Sequence, residues 1–244
     1  MDEPSRTAEA PRPGTAAWWL ARESEPARQR RRRSLTLEGI LDASMALLDD
    51  RGAAALTMRN VAEALGCTQA SLYRHVRNRE ELVTLLIDRA ISVASTPPPE
   101  DADWAEQAAW SARLFREHLR RHPGVASLLR GTERLGPNSL AGMQYGLALF
   151  IGAGLRPGLA SAAASALATF VIGSVHFNLG LDRQDPEERR HRRELFRSRD
   201  AAACPLLVQH AEVLAEVGSD EEFEVGLTAL LTGFRALIEH ADHA

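Results

Sequence analysis

From Leu35 to the C-terminus, apolar side chains recur every three or four residues, which is the spacing of one face of a helix. The sequence has no alternating β-branched runs between hairpin turns, so the pattern gives no strand signal. We therefore predict an all-α protein. The predicted helices cover residues 37–51, 58–65, 69–76, 79–95, 103–121, 124–130, 138–153, 158–181, 205–217 and 220–240.

The first four of these helices have recognisable start and stop residues. Side chains that can cap a helix N-terminus precede each of them: Thr36, Thr57, Thr68 and Asn78. Glu81 follows Asn78 by three residues, as in a capping box. Gly52 and Gly66 follow the first two helices, where a glycine commonly ends a helix.

Two charged segments lack the helical pattern. Residues 1–34 contain four prolines, and we predict that they form a flexible arm. Trp18 and Trp19 are the exception in this arm, because two adjacent indoles are costly to leave in water. They can dock on the body of the protein, on a partner chain or on DNA. Residues 182–200 are dense in Arg and Glu, and we predict mostly a solvated loop there rather than a second basic binding surface.

Composition excludes several classes of chemistry. The chain has 244 residues and a formal net charge of −4, and its 29 basic residues are all Arg. The absence of Lys excludes a Schiff base, a P-loop lysine and a Lys general base. Cys67 and Cys204 lie too far apart for metal-ligand spacing or a disulfide framework.

The sequence has no run that is apolar over the roughly 18–20 residues of a membrane span. The polar N-terminus is unlike a signal peptide, so we expect a cytoplasmic protein.

Positive charge is concentrated before and within the first predicted helices. Residues 1–89 carry 14 Arg and 13 acidic residues, whereas residues 90–244 carry 15 Arg and 20 acidic residues. Five Arg stand within six positions just before the first helix: Arg28, Arg30, Arg31, Arg32 and Arg33. A solvated tail can have this composition, but such a run can also neutralise phosphates and release counterions. Its position leads us to expect that it enters a minor groove beside the first helices.

The segment from Thr57 to Val76 has the form of a helix-turn-helix. A short amphipathic helix, a turn containing Gly66 and a second short helix follow one another. Apolar side chains on both helices can form their mutual contact, which leaves the polar residues of the second helix for other roles. The spacing alone does not separate a DNA-binding unit from other paired short helices.

The residues themselves match a known family. The runs LTMRNVAEALG at 56–66 and SLYRHVRNREELV at 71–83 closely resemble the DNA-binding domain of the tetracycline-repressor (TetR) family. The resemblance continues through His122-Pro123, Gly131-Thr132, VHFNLG at 175–180, PLLVQHAEVL at 205–214 and FEVGLTALLTG at 223–233. It therefore covers about Leu35 to Leu237 and leaves the arm outside.

This resemblance implies a homodimer whose subunits each have a helix-turn-helix domain at 35–78 and a ligand-binding and dimerisation domain at 79–244. The flexible Arg-rich arm at 1–34 precedes these two domains and is predicted from its own composition. The last helices of two subunits would form a four-helix bundle. The Ala- and Ser-rich segment 160–169 allows close helix contact. An apolar stripe supports the same bundle or forms intrachain core: Phe223, Leu227, Leu230, Leu231, Phe234, Leu237 and Ile238.

The resemblance also implies which residues meet DNA. Carried over position by position, they are Arg59, Gln69, Ala70, Ser71, Tyr73, Arg74 and His75. Gln69 suits adenine, Arg74 suits guanine, and Ala70 can contact a thymine methyl. Ser71, Tyr73 and His75 suit phosphates, as does Arg79 at the start of the next helix. Arg74 replaces an aromatic residue of the tetracycline-responsive members, so we expect a different operator.

The ligand pocket implied by the resemblance lies in the body. Its lining would be Ser95, Ser111, Phe115, Leu129, Thr132, Gly146, Val171, Val175 and His176, with Met143 and Leu147 beside Gly146. Leu129 takes the place of a magnesium-binding His, and Gln184 replaces an accompanying Glu. Because an apolar Leu cannot ligate Mg²⁺, we predict no metal, no cofactor and no magnesium–tetracycline effector. The lining suits a largely hydrophobic molecule, and an aromatic one is compatible with it. His176 is either a satisfied core histidine or a ligand contact.

The sequence thus predicts a ligand-responsive regulator, most simply a repressor, that binds a palindromic operator as a homodimer. The effector would shift the protein between two conformations. The 79–95 helix would join the helix-turn-helix domain at 35–78, which we call the head, to the pocket. Two alternative functions fit the sequence less well. An all-α small-molecule-binding protein without DNA binding is disfavoured by the basic arm and the capped head. A small helical enzyme is disfavoured because no Lys, metal spacing or Ser/Cys–His arrangement is present.

Overall fold

The computed structural model describes residues 11–24, 35–92, 98–99, 101–129, 135–178, 186–216 and 218–241. Every regular element within these ranges is a helix, which confirms the predicted all-α fold. In chain order the α-helices are α1 (Ala16–Glu23), α2 (Leu37–Arg51), α3 (Met58–Ala64), α4 (Gln69–Leu72), α5 (Arg79–Ile91), α6 (Trp104–Arg121), α7 (Pro123–Leu128), α8 (Pro137–Gly152), α9 (Pro157–Asn178), α10 (Pro186–Arg197), α11 (Pro205–Gln209), α12 (Ala211–Glu216) and α13 (Ser219–Ala241). A 3₁₀ turn at Ala53–Ala55 precedes α3.

The chain divides into two compact units. The first comprises Met1–Pro97 and Arg121–Tyr145, and the second comprises Pro98–Arg120 and Gly146–Ala244. This division does not coincide with the boundary predicted between residues 78 and 79. The reason is that α5 packs on α2, and α7 packs on both helices, so their apolar faces share one core.

The helix-turn-helix region forms as its capping residues predict. The hydroxyls of Thr36, Thr57 and Thr68 each accept a hydrogen bond from the amide three residues later, and Asn78 caps α5 in the same way. Gly52 and Gly66 have positive φ angles of 75° and 61°, which explains glycine at both turns. The buried side of this region is formed by fully enclosed residues such as Val61, Leu72, Val76, Leu82 and Leu86.

The prediction that residues 1–34 are a flexible arm is wrong for the part that the structure describes. Residues 16–23 form α1, and the Thr15 hydroxyl caps it by accepting from the Trp18 amide at 3.3 Å. Trp18 and Trp19 are buried in the core of the first unit, so they dock on their own chain. The burial of two indoles stabilises this helix, because each indole removes a large apolar surface from water. The helix is too short for its apolar residues to show a periodic pattern in the sequence. The Arg run at 28–33 lies outside the described residues.

The second unit contains the long helices α9 and α13, which pack on each other. Phe150 contacts Phe234 edge-on at 5.3 Å between ring centroids, and Phe170 stacks on Phe223 at the same distance. Three members of the predicted stripe on α13, Phe223, Leu227 and Phe234, are buried within the chain. The stripe is therefore mainly intrachain core, and another face of α13 is exposed.

Although the sequence was predicted to contain no apolar run of membrane-span length, helix α9 has the length and mean hydropathy of such a span over Pro157–Phe177, because its few polar residues are uncharged. Only 22% of its most apolar window is buried within the single chain. Core helices of soluble proteins meet the same criteria, so the finding alone assigns no membrane location.

The segment predicted as a solvated loop at 182–200 contains the helix α10, which corrects that prediction. Pro186 is the first residue of α10, where a proline is well tolerated. The negative charges of Glu187 and Glu188 in the first turn interact favourably with the positive end of the helix dipole. Arg193 pairs with Glu212 at 2.8 Å and with Glu216 at 2.5 Å. Helix α10 thus packs against α12, and these ion pairs connect the two helices. The helix predicted at 205–217 is interrupted at His210 and forms α11 and α12.

Candidate nucleic-acid interface

One surface of the first unit gathers most of the residues predicted to contact DNA. Leu72 and Val76 are fully buried and fix one side of α4 and of the turn after it. The opposite side is exposed, and there lie Gln69, Ala70, Tyr73 and Arg74, with Ser71 and His75 partly exposed. Arg59, at the start of α3, is also exposed. We call the segment Gln69–Val76 the recognition segment.

Polar contacts orient side chains within the recognition segment. The Ser71 hydroxyl lies 3.1 Å from the Thr68 hydroxyl, and an Arg74 Nη atom donates to it at 3.3 Å. Ser71 therefore directs the Arg74 side chain along the segment. The pKa of His75 is held below its ordinary value, because partial burial disfavours the charged ring and the Arg74 charge lies nearby. Both effects favour the neutral form of the His75 ring in the free protein.

Arg79 has a structural contact that the sequence did not indicate. Its Nε donates to the Leu56 carbonyl at 2.7 Å, and an Nη donates to the Ala53 carbonyl at 3.3 Å. These bonds tie the start of α5 to the turn before α3, 23 to 26 residues away. Arg79 therefore braces the head, and its predicted phosphate contact stays a prediction.

The turn that follows the recognition segment is held by Glu81. The Glu81 amide donates to the Asn78 side chain at 2.8 Å, as the capping box predicts. Its carboxylate, however, accepts from the Arg77 amide at 2.7 Å rather than from the Asn78 amide. The same carboxylate accepts from an Arg22 Nη at 2.6 Å, which links it to α1. Because Arg22 and Glu81 are 59 residues apart, no local sequence pattern predicts the contact between them.

The predicted ligand residues are divided between the two units. Leu129 and Met143 belong to the first unit, Leu129 buried and Met143 exposed. The second unit holds Ser111, Phe115, Gly146, Leu147, Val171, Val175 and His176. Of these, Val171 and Val175 are buried, whereas His176 and Phe115 are partly exposed. Ser95, Thr132 and Gln184 lie outside the described residues. The pocket therefore stays a prediction.

Two of the carried-over ligand positions already serve local packing. The Ser111 hydroxyl donates to the Gln107 carbonyl one helical turn back, at 2.9 Å. A Cβ added to Gly146 would lie 2.9 Å from the Cβ of Ala164, so this glycine lets α8 approach α9.

The first unit contains a cavity of about 270 Å³ between residues of 12–19, α5 and 135–139. None of the predicted ligand residues lines this cavity.

The described residues contain no group of three or more His, Cys, Asp or Glu side chains that could hold a metal ion. His122 lies 2.7 Å from a carboxylate oxygen of Asp49 through its Nδ1. The side chain of Leu129 carries no oxygen, nitrogen or sulfur atom with which to bind a metal ion.

Two family models match the chain. The model described as bacterial regulatory proteins, tetR family, matches residues 40–86. The model described as tetracyclin repressor-like, C-terminal domain, matches residues 96–238. The first match coincides with the helix-turn-helix and most of α5, whereas α1 lies before it.

Individual relatives agree with these matches. The class C tetracycline repressor of Escherichia coli is 29% identical over 207 residues, which are 83% of this chain and 92% of the repressor. The class A repressor from transposon 1721 of Escherichia coli is 31% identical, over 80% of this chain and 88% of its own length. These relatives are transcription regulators rather than enzymes.

Solved structures show the same fold. Apo ActR from Streptomyces coelicolor superposes with a TM-score of 0.76 at 31% identity, covering 86% of this chain and 100% of ActR. ActR in complex with actinorhodin gives a TM-score of 0.75 at 31% identity, covering 84% of this chain and 98% of ActR.

Proposed function

The chain belongs to the TetR family of DNA-binding regulators, and on that premise we propose that it represses transcription as a homodimer on a palindromic operator. A small hydrophobic effector other than magnesium–tetracycline would release it. We place this activity in the cytoplasm, where operator DNA is found. The observation that carries the proposal is the exposed face of the recognition segment, on which the side chains of Gln69, Tyr73 and Arg74 are exposed to solvent.

The chemistry of this face suits a major groove. An amide and a guanidinium can each make a two-point contact with a purine edge, worth about 1–3 kcal/mol against the wrong base. Arg74 is steadied by Ser71, so less side-chain entropy is lost when it binds. Arg59 and Tyr73 flank the face and suit phosphate contacts, which fix register rather than sequence.

A homodimer is supported by unpartnered faces of α9 and α13. Small residues on α9 are exposed in the single chain: Ser161, Ala162, Ser165, Ala166 and Thr169. On α13 the exposed apolar residues include Val225 and Leu237, at 66% and 46% of full exposure. Small side chains let helix backbones approach closely, and bundling two copies would cover these faces. Two heads would then present their recognition segments to successive major grooves, about 34–36 Å apart.

Effector control is supported by the family match across residues 96–238 and by ActR holding actinorhodin. Leu129 is apolar and buried, which disfavours a magnesium-dependent ligand. We infer that the protein has two conformations, of which one binds DNA, and that the effector binds the other one more tightly. Effector binding therefore lowers the population of the conformation that binds DNA. The effector can do so only by the difference between its two affinities.

Selection from randomised duplexes tests the proposal directly. Wild-type protein at about 150 mM salt should enrich a two-fold symmetric sequence and bind it with a Kd of about 10⁻⁸ M or tighter. Magnesium–tetracycline should leave the complex intact. Failure to enrich any sequence, or enrichment without two-fold symmetry, would contradict the proposal.

Operator binding should also depend on the protonation of His75. A phosphate beside the ring would raise the His75 pKa in the complex above its lowered value in the free protein. The complex then takes up a proton, so affinity should rise about threefold as pH falls from about 7.5 to about 5.5. His75→Gln should remove most of this dependence, whereas His122→Gln should retain it. An equal pH dependence in the His75→Gln protein would place the titrating group elsewhere.

A further inference from the structure

Helix α1 is part of the first unit although it precedes the family match. Trp18 and Trp19 are 3% and 7% exposed, and they pack in the same core as residues of α2, α3 and α5. Arg22 stands one turn after Trp18, with its guanidinium carbon 5.3 Å from the centroid of the Trp18 ring. Docking of the indoles thus fixes where the Arg22 guanidinium lies.

A chain of contacts runs from α1 to the end of the recognition segment. An Arg22 Nη donates to one carboxylate oxygen of Glu81 at 2.6 Å. The other oxygen accepts from the backbone amide of Arg77 at 2.7 Å. Arg77 directly follows Val76, the last residue of the recognition segment. The Glu81 side chain is only 3% exposed, so its carboxylate depends on these partners rather than on water.

We propose that α1 positions the recognition segment, and that Arg22 is the positioning residue that acts through Glu81 on the Arg77 amide. This inference rests on the proposed DNA-binding function. The contact defines the angle at which the chain leaves the recognition segment and enters α5. A side chain that never touches DNA would in this way determine how well Gln69 and Arg74 reach the bases.

A second ion pair offers a matched control. Arg12 donates through Nε to Glu80 at 2.8 Å, so it also connects the N-terminal segment to the first turn of α5. Its side chain is 80% exposed, that of Glu80 is 47% exposed, and neither bonds to the backbone of the recognition segment. Exposed pairs of this kind contribute little to stability. Loss of Arg12 should therefore leave the recognition segment in place.

The test compares Arg22→Met, Arg22→Lys and Arg12→Met in the full chain, on the duplex enriched by wild-type protein. Arg22→Met should weaken binding about tenfold, because Glu81 keeps its charge and loses its cationic partner. Arg22→Lys should recover part of the affinity, since an ammonium restores the positive charge beside Glu81 but not the guanidinium that lies over the Trp18 ring. Arg12→Met should stay within about twofold of wild type.

Hydrogen exchange on the DNA-free proteins distinguishes positioning from a general loss of stability. In Arg22→Met, amides at 69–77 should exchange about tenfold faster while those of α2 keep their wild-type rates. Equal acceleration in α2, or unchanged exchange at 69–77, would overturn the proposal. Since this readout needs no DNA, it decides the role of Arg22 even if no duplex is enriched and the proposed function itself fails.

Discussion

Replacing Tyr73 with alanine is expected to lower operator affinity by about a hundredfold and to leave the folded dimer intact. Tyr73 is 48% exposed and contributes little to the core, so its removal costs little folding energy. In the complex its ring and hydroxyl would be covered by the DNA backbone. A loss of about 1.4 kcal/mol in each half-site, taken twice in a dimer, gives this factor.

Tyr73→Phe separates the two contributions of the side chain. If the hydroxyl donates to a phosphate, the phenylalanine protein should lose about half of the binding free energy that alanine loses. Fluorescence anisotropy with the enriched duplex measures affinity, and light scattering checks that the oligomeric state is unchanged. Affinity within threefold of wild type for Tyr73→Ala would remove Tyr73 from the interface.

Replacing Ala166 with arginine should abolish dimerisation and, with it, binding to the full operator. Ala166 lies on the exposed face of α9 in the single chain, so an arginine there meets only solvent in the monomer. In a close-packed helix bundle the same guanidinium would be buried without a partner and would separate the backbones. We expect dimer affinity to fall at least a hundredfold, with a comparable loss on the two-fold symmetric duplex.

The matched control for this prediction is Ala202→Arg, which adds the same side chain at an exposed position in the turn between α10 and α11. It should remain dimeric in sedimentation experiments and bind like wild type. The Ala166→Arg protein should also keep its wild-type melting behaviour at concentrations where both proteins are monomeric. A dimeric Ala166→Arg protein would show that the interface lies on other helices.

The head could be predicted from the sequence because its signals are local. Thr57 and Thr68 cap the helices that they directly precede, and Gly66 meets the turn's need for a positive φ. The exposed and buried sides of the recognition segment follow from the same short range. Leu72 and Val76 are apolar and buried, and Tyr73 and Arg74 between them are exposed.

The errors concern contacts between residues that are distant in sequence. Trp18 and Trp19 of α1 are buried in a core that later residues form, and α10 packs against α12, where Arg193 pairs with Glu212 and Glu216. The sequence of α1 is too short, and that of α10 too rich in charged residues, for the spacing of apolar residues alone to predict a helix. The bonds that Arg79 donates to the carbonyls of Leu56 and Ala53 are likewise contacts between residues 23 to 26 positions apart, which its place at a helix start does not indicate.

The paired indoles of α1 have a spectroscopic consequence. Their centroids lie 4.7 Å apart with ring planes at 76°, close enough for the electronic transitions of the two chromophores to couple. Trp104 and Trp110, the remaining tryptophans, lie in the second unit. The first unit therefore contains an intrinsic optical reporter in its ultraviolet circular dichroism, through which undocking of the N-terminal helix can be followed without any attached label.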